Sequence, residues 1–114
     1  MEEIVAYQEI LAIEDEMNEL HELLMVYDAE LPRAKDAYEV KKREVTERLR
    51  GQEPVTTLRD TVRGIPEVAE LRRARDELLY KRQTAHQWLT CLMGRRTTLR
   101  EMMSMEMNML SNMT

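Results

Sequence analysis

AYQEILAIEDEMNELHELLMVYDAELPRAKDAYEVKKREV, residues 6–45, carries one row of side chains at alternating steps of three and four. The row reads Ala6, Ile10, Ile13, Met17, Leu20, Leu24, Tyr27, Leu31, Ala34, Tyr38, Lys41, Val45, and only Lys41 interrupts its apolar character. Steps of three and four place side chains on one stripe of an α-helix, and a stripe held over this many heptads is a coiled-coil seam. The spacing predicts one helix over about residues 2–49. Pro32 removes a backbone donor and crowds the preceding turn, so a kink or break is expected near residues 30–33. Gly51 is suited to the left-handed conformation that stops a helix.

Downstream of Gly51, residues 51–65 read as a connection. Thr57 and Asp60 have capping-box spacing, which predicts a short helix from Leu58 to Arg63 ended by Gly64. Pro66 suits the first position of a further helix, and Glu67 and Glu70 suit its first turn. That helix is expected over about residues 66–110. One seam position recurs every seven residues as Leu71, Leu78, Ala85, Leu92 and Leu99. Its companion row, Val68, Arg75, Arg82, Leu89, Arg96, Met103, Leu110, is mixed, so arginines must lie beside the seam.

A connection this short makes the long helices antiparallel neighbours. The fold class expected is therefore all-α: a single-domain, coiled-coil-like helical hairpin with a short helix in its connection. Residue i of the first helix should lie roughly beside residue 116 − i of the last. Composition agrees. The chain of 114 residues has three glycines, three prolines, no phenylalanine and 34% charged residues, which suits long exposed helices and not sheets.

Charge is segregated along the chain. Residues 1–31 hold ten acids and no Lys or Arg, whereas Arg72–Arg100 holds eight basic residues against Asp76 and Glu77. Antiparallel pairing sets the acidic arm beside Arg95, Arg96 and Arg100 and makes charge a register code. Glu14, Asp15, Glu16, Glu19 and Glu22 are the acids expected to face a partner. Rows of carboxylates also imitate a nucleic-acid backbone, although pairing with the chain's own arginines is the simpler account of them.

Two helices of about 70 Å each cannot bury all their apolar surface against each other. Ile4, Leu11, Leu23 and Met25 lie beside the first seam, and Met102, Met105 and Met109 lie outside the second. These seven are the expected oligomer or partner interface. Self-association into a helical bundle, as a dimer first, is the expected remedy.

No catalytic residues, metal site or cofactor are expected. There is no phosphate-cradling glycine loop and no metal-ligand spacing. Met103, Met105, Met107 and Met109 alternate with other residues, and alternate helical positions point about 200° apart, so one Cu(I) ion cannot gather them. They read as an adaptable contact surface. His21 and His86 read as rim residues, and Cys91, the only cysteine, as a small buried apolar residue. The start Met-Glu-Glu-Ile lacks signal-peptide character and no run is apolar enough to span a bilayer, so a cytoplasmic protein without membrane contact is expected. An alternative role uses Arg72, Arg73, Arg75, Lys81 and Arg82, with Tyr80 and Trp88, to hold phosphates and stack bases.

Residues 54–81, PVTTLRDTVRGIPEVAELRRARDELLYK, resemble small helical proteins of the early, recombination and replication region of phages of Gram-positive bacteria. Pro54, Val55, Thr56, Gly64, Val68, Ala69, Arg75, Asp76 and Tyr80 carry the likeness, over about a quarter of the chain. The Met-rich end and very acidic start depart from it. The family has no assigned activity, and the resemblance implies a phage origin and work in DNA metabolism or host takeover. The function expected is that of a non-enzymatic interaction module, an oligomeric adaptor or inhibitor of a host or phage protein. The alternatives are a nucleic-acid-associated recombination accessory and a purely structural assembly subunit.

Overall fold

A computed structural model describes residues 2–113, with the side chains of residues 5–113. Three helices follow one another: α1 (Glu2–Leu49), α2 (Val55–Gly64) and α3 (Pro66–Met113). Among the described residues only 50–54 and 65 lie outside a helix, and there is no strand beyond an isolated bridge between Arg50 and Glu53. The architecture is the all-α hairpin that the heptad seam predicts.

The helix ends show how the sequence punctuates itself. Gly51 has φ of 89°, and behind it the Gln52 and Glu53 amides donate to the Leu49 carbonyl at 3.0 and 3.2 Å. Only glycine takes that conformation without steric cost. α2 starts three residues before the expected Leu58, because the Pro54 carbonyl already accepts the amides of Thr57 and Leu58. The Thr57–Asp60 capping box therefore does not form: Thr57 lies inside the helix, and its hydroxyl faces the Pro54 carbonyl at 3.2 Å. Nor does Gly64 stop α2. It belongs to the helix, and the break falls at Ile65 (φ −61°, ψ 127°). Ile65 precedes Pro66, whose ring forces the residue before it out of the helical region.

α1 stays one uninterrupted helix through Pro32. The break allowed for in the sequence reading does not occur. Pro32 projects from the exposed side, while its neighbour Leu31 is buried in the seam. Packing on that side holds the turn together against the lost hydrogen bond.

The contacts divide the chain into two compact units: residues 1–25 with 83–114, and residues 26–82. In the first, Ile10, Ile13, Met17 and Leu24 of α1 and Ala85, Leu89 and Leu92 of α3 are buried. In the second, Tyr38, Val45, Val62 and Val68 form a buried cluster, joined by Leu49, Leu58, Ile65 and Leu71. α1 and α3 run antiparallel in each. The register differs from 116 − i, which sets Asp28 opposite Trp88; Asp28 meets Arg82 instead. The reason lies in α2. Its Leu58 and Val62 pack with Val45 and Leu49 of α1, and Val68 at the start of α3 joins Val45 in that cluster, three residues short of the Arg48 that 116 − i sets opposite it.

Val68 is fully buried, whereas Val55 is 89% exposed. Val68→Ala is expected to lower unfolding free energy by about 2 kcal/mol, for lost transfer energy plus a cavity. Val55→Ala should change it by less than about 0.5 kcal/mol. Urea denaturation followed by circular dichroism compares the two, and equal losses would contradict the core described here.

Candidate interaction surface

In the unit formed by residues 1–25 and 83–114, polar side chains seal the apolar seam on both flanks. On one flank Arg100 donates to Glu14 at 2.9 Å, and Arg96 approaches the same carboxylate at 4.0 Å. On the other, the Trp88 indole N–H donates to Glu16 at 3.0 Å, and Arg95 lies 3.8 Å from Glu9. Apart from Arg96, whose side chain is only 25% exposed, these groups are well exposed, so each ion pair contributes only about 0–1 kcal/mol. Their effect is on orientation: an acidic strip on α1 meets arginines on α3 only when the helices run in opposite directions.

The acids expected to face a partner are thereby split. Glu14 and Glu16 serve the hairpin itself. Asp15, Glu19 and Glu22 make no ion pair among the described residues and lie on the side of α1 away from the seam. Leu11, Asp15, Asn18, Glu22 and Met25 follow one another at steps of four and three, so they form one row, with Glu19 beside it. Leu11 and Met25 are exposed, Met25 by 73%. The outer face of α1 therefore carries carboxylates in its middle and apolar groups at either end.

The remaining interface candidates do not join that row. Leu23 is exposed on the flank shared by Glu9 and Glu16. Met102 and Met109 continue the α3 flank of Trp88 and Arg95 at steps of seven, and Met105 faces elsewhere; all three are exposed. The side chain of Ile4 lies outside the described residues. The sequence reading missed Tyr7, which joins Met107 of the methionine-rich contact surface. Together with Leu11, Glu14, Arg100 and Met103 they line an open groove of about 480 Å³. The available signal was the step of seven from Tyr7 to Glu14, which puts Tyr7 on the arginine-facing flank.

In the unit formed by residues 26–82, the expected nucleic-acid set is divided in the same way. The Arg82 guanidinium is bound to Asp28. Arg75 stacks over the buried Tyr38 ring at 4.4 Å and pairs with Asp76 at 2.9 Å. Trp88, expected to stack bases, is tied to Glu16 in the other unit. Arg73 and Lys81 carry no ion pair among the described residues, and Tyr80 is exposed. Arg72 donates to the Arg63 carbonyl at 3.3 Å.

The same unit holds a cleft of about 390 Å³ between α1 and α2 that sequence reasoning did not find. Leu58, Val62 and the edge of Tyr38 form its apolar part, and Lys42, Arg59 and Arg63 its cationic part. Steps of four join Lys42 to Tyr38 and Arg63 to Arg59, but only the docking of α2 on α1 brings the two rows together.

Both histidines are exposed. Cys91 is exposed too, contrary to the buried residue expected: it lies one position before the buried Leu92 and about 100° away from it around the helix. Among the described residues no group of three or more His, Cys, Asp or Glu side chains is placed to hold a metal ion. No helix is long and apolar enough to cross a membrane. Compared with protein-family models, with curated proteins and with solved structures, the chain matches none.

Arg96 occupies a seam position, and its Nε is buried without an acceptor among the described residues. Glu14 keeps Arg100 at 2.9 Å without it. Arg96→Leu is therefore expected to stabilise the hairpin by about 1 kcal/mol, since an apolar residue in such a place avoids the desolvation of a charge. A lower urea midpoint for the variant would show that Arg96 supports the seam.

Proposed function

We propose that this chain is a non-enzymatic protein–protein interaction module that associates with its own copies and docks on a protein partner as an adaptor or inhibitor. The observation that carries the reading is the outer side of α1, where Met25 and Val26 are exposed, and Leu11, which also edges the groove with Arg100 and Met103, is exposed on the same row as Met25. A hairpin of two helices buries one stripe of each and leaves no internal partner for such side chains. Unpaired carboxylates between them steer encounter with basic surfaces and make the contact selective. The likeness of residues 54–81 to phage early-region proteins supports a cytoplasmic partner in the DNA metabolism or defence of a bacterial host.

The chain mass is 13.6 kDa. Light scattering on the eluting protein is expected to give a multiple of that mass at micromolar concentration. Leu11→Ser with Met25→Ser should weaken association about tenfold or more, at unchanged helicity. A monomer at every concentration would remove self-association from the proposal. Association unaffected by the double variant would move the contact away from this face.

A second reading has one observation in its favour: Arg73 and Lys81 have no ion pair among the described residues, and Tyr80 is exposed beside them. In that reading the chain is an accessory of recombination or replication that holds single-stranded nucleic acid. A gel shift at low salt tests it. Retention of labelled oligonucleotide, lost in Arg73→Glu with Lys81→Glu, would favour the accessory role over the adaptor; no retention would dismiss it.

A further inference from the structure

We propose that the cleft between α1 and α2 is the docking site for the acidic outer face of α1 of a second copy of the chain. This rests on the self-association part of the functional reading and assigns it two named surfaces. Arg59 and Arg63 sit one turn apart on α2 and have no ion pair among the described residues. Lys42 faces them across the cleft, over the Tyr38 ring at 5.3 Å and with one exposed ion pair, to Glu39 at 3.6 Å. Arg72, bound to the Arg63 carbonyl, adds a further positive charge beside them. These cations surround an apolar floor of Leu58 and Val62 with Val55 at the rim. The cleft thus asks for a ligand that is acidic and apolar at once.

The second copy offers that chemistry. Along its outer α1 face Leu11 and Met25 bracket Asp15, Glu19 and Glu22, whose carboxylates are unpaired among the described residues. The wider charge distribution points the same way. Residues 1–25 and 83–114 contain ten acids against three arginines; residues 26–82 contain twelve acids against fourteen basic residues. Two copies therefore repel where acidic parts meet and attract where the acidic part of one meets the basic part of the other. Arg59 and Arg63 donate to carboxylates in a fixed planar fork, which favours a carboxylate row over an isolated charge. Side chains of Leu or Met from the incoming helix cover the Leu58–Val62 floor and lower the dielectric around the ion pairs.

A charge swap tests this. One variant carries Arg59→Glu and Arg63→Glu; a second carries Asp15→Lys, Glu19→Lys and Glu22→Lys. Sedimentation velocity is expected to show each alone associating about tenfold or more weakly than the unchanged chain, and an equimolar mixture recovering association. Circular dichroism checks that both stay helical, and the milder Arg59→Gln with Arg63→Gln should give a smaller loss. An unchanged chain that sediments as a monomer defeats the self-association reading as a whole. An unchanged chain that associates while either reversed variant does so equally well, or while the mixture stays apart, defeats the cleft assignment alone. Loss of oligonucleotide retention in the Arg59/Arg63 variant without any change in its mass would assign the cleft to nucleic acid and likewise overturn it.

Discussion

The contact on which the rest depends is the apolar seam that α1 offers to α3. Ile10, Ile13, Met17 and Leu24 are buried in one unit, and Leu31, Tyr38 and Val45 in the other, all from one uninterrupted helix. Secondary structure alone does not sustain a helix of this length with a proline in it; burial of one continuous stripe does. Every other feature is placed relative to that stripe. Residues on its flanks become ion-pairing partners between helices, and residues opposite to it become free surface. A side chain's role here follows mostly from its angle around α1.

Charge acts second, on direction and register. Glu14 with Arg100, Glu16 with Trp88 and Asp28 with Arg82 are exposed contacts of small individual worth. Each nevertheless joins an acidic strip of α1 to groups on α3 that only the antiparallel arrangement supplies. The mixed companion row of α3 also makes sense on this basis. Arg75, Arg82 and Arg96 sit at seam-edge positions where leucine is the usual choice, and they answer Tyr38, Asp28 and Glu14. Arginine there gives up some apolar burial and gains discrimination against misaligned pairings.

What remains after seam and flanks are accounted for is the exposed surface on which the proposed contacts rest. On α1 it is an outer face with carboxylates between apolar ends. Between α1 and α2 it is a cationic cleft with an apolar floor. Both surfaces set charged groups beside apolar ones. The two surfaces are opposite in charge. The short helix α2 contributes two of the cleft's cations, Arg59 and Arg63, to a connection where a tight turn would suffice to reverse the chain.

Residue order by itself determined what depends on local periodicity. The steps of three and four gave both long helices and named the buried row of α1 residue by residue, because helical geometry ties spacing to a face without reference to anything distant. Glycine at position 51 and proline at 66 marked helix ends for equally local reasons. The tertiary structure decided what depends on distance. The set-back of α3 against α1 follows from α2 packing on Val45 and Leu49, a contact with no local signature. Within residues 26–82 that set-back gives Asp28 to Arg82; in the other unit Trp88 meets Glu16 and Arg100 meets Glu14, which leaves Asp15, Glu19 and Glu22 without an ion pair among the described residues. The tertiary structure also built the cleft, whose cations lie on two helices and come together only once an apolar cluster has drawn those helices into contact.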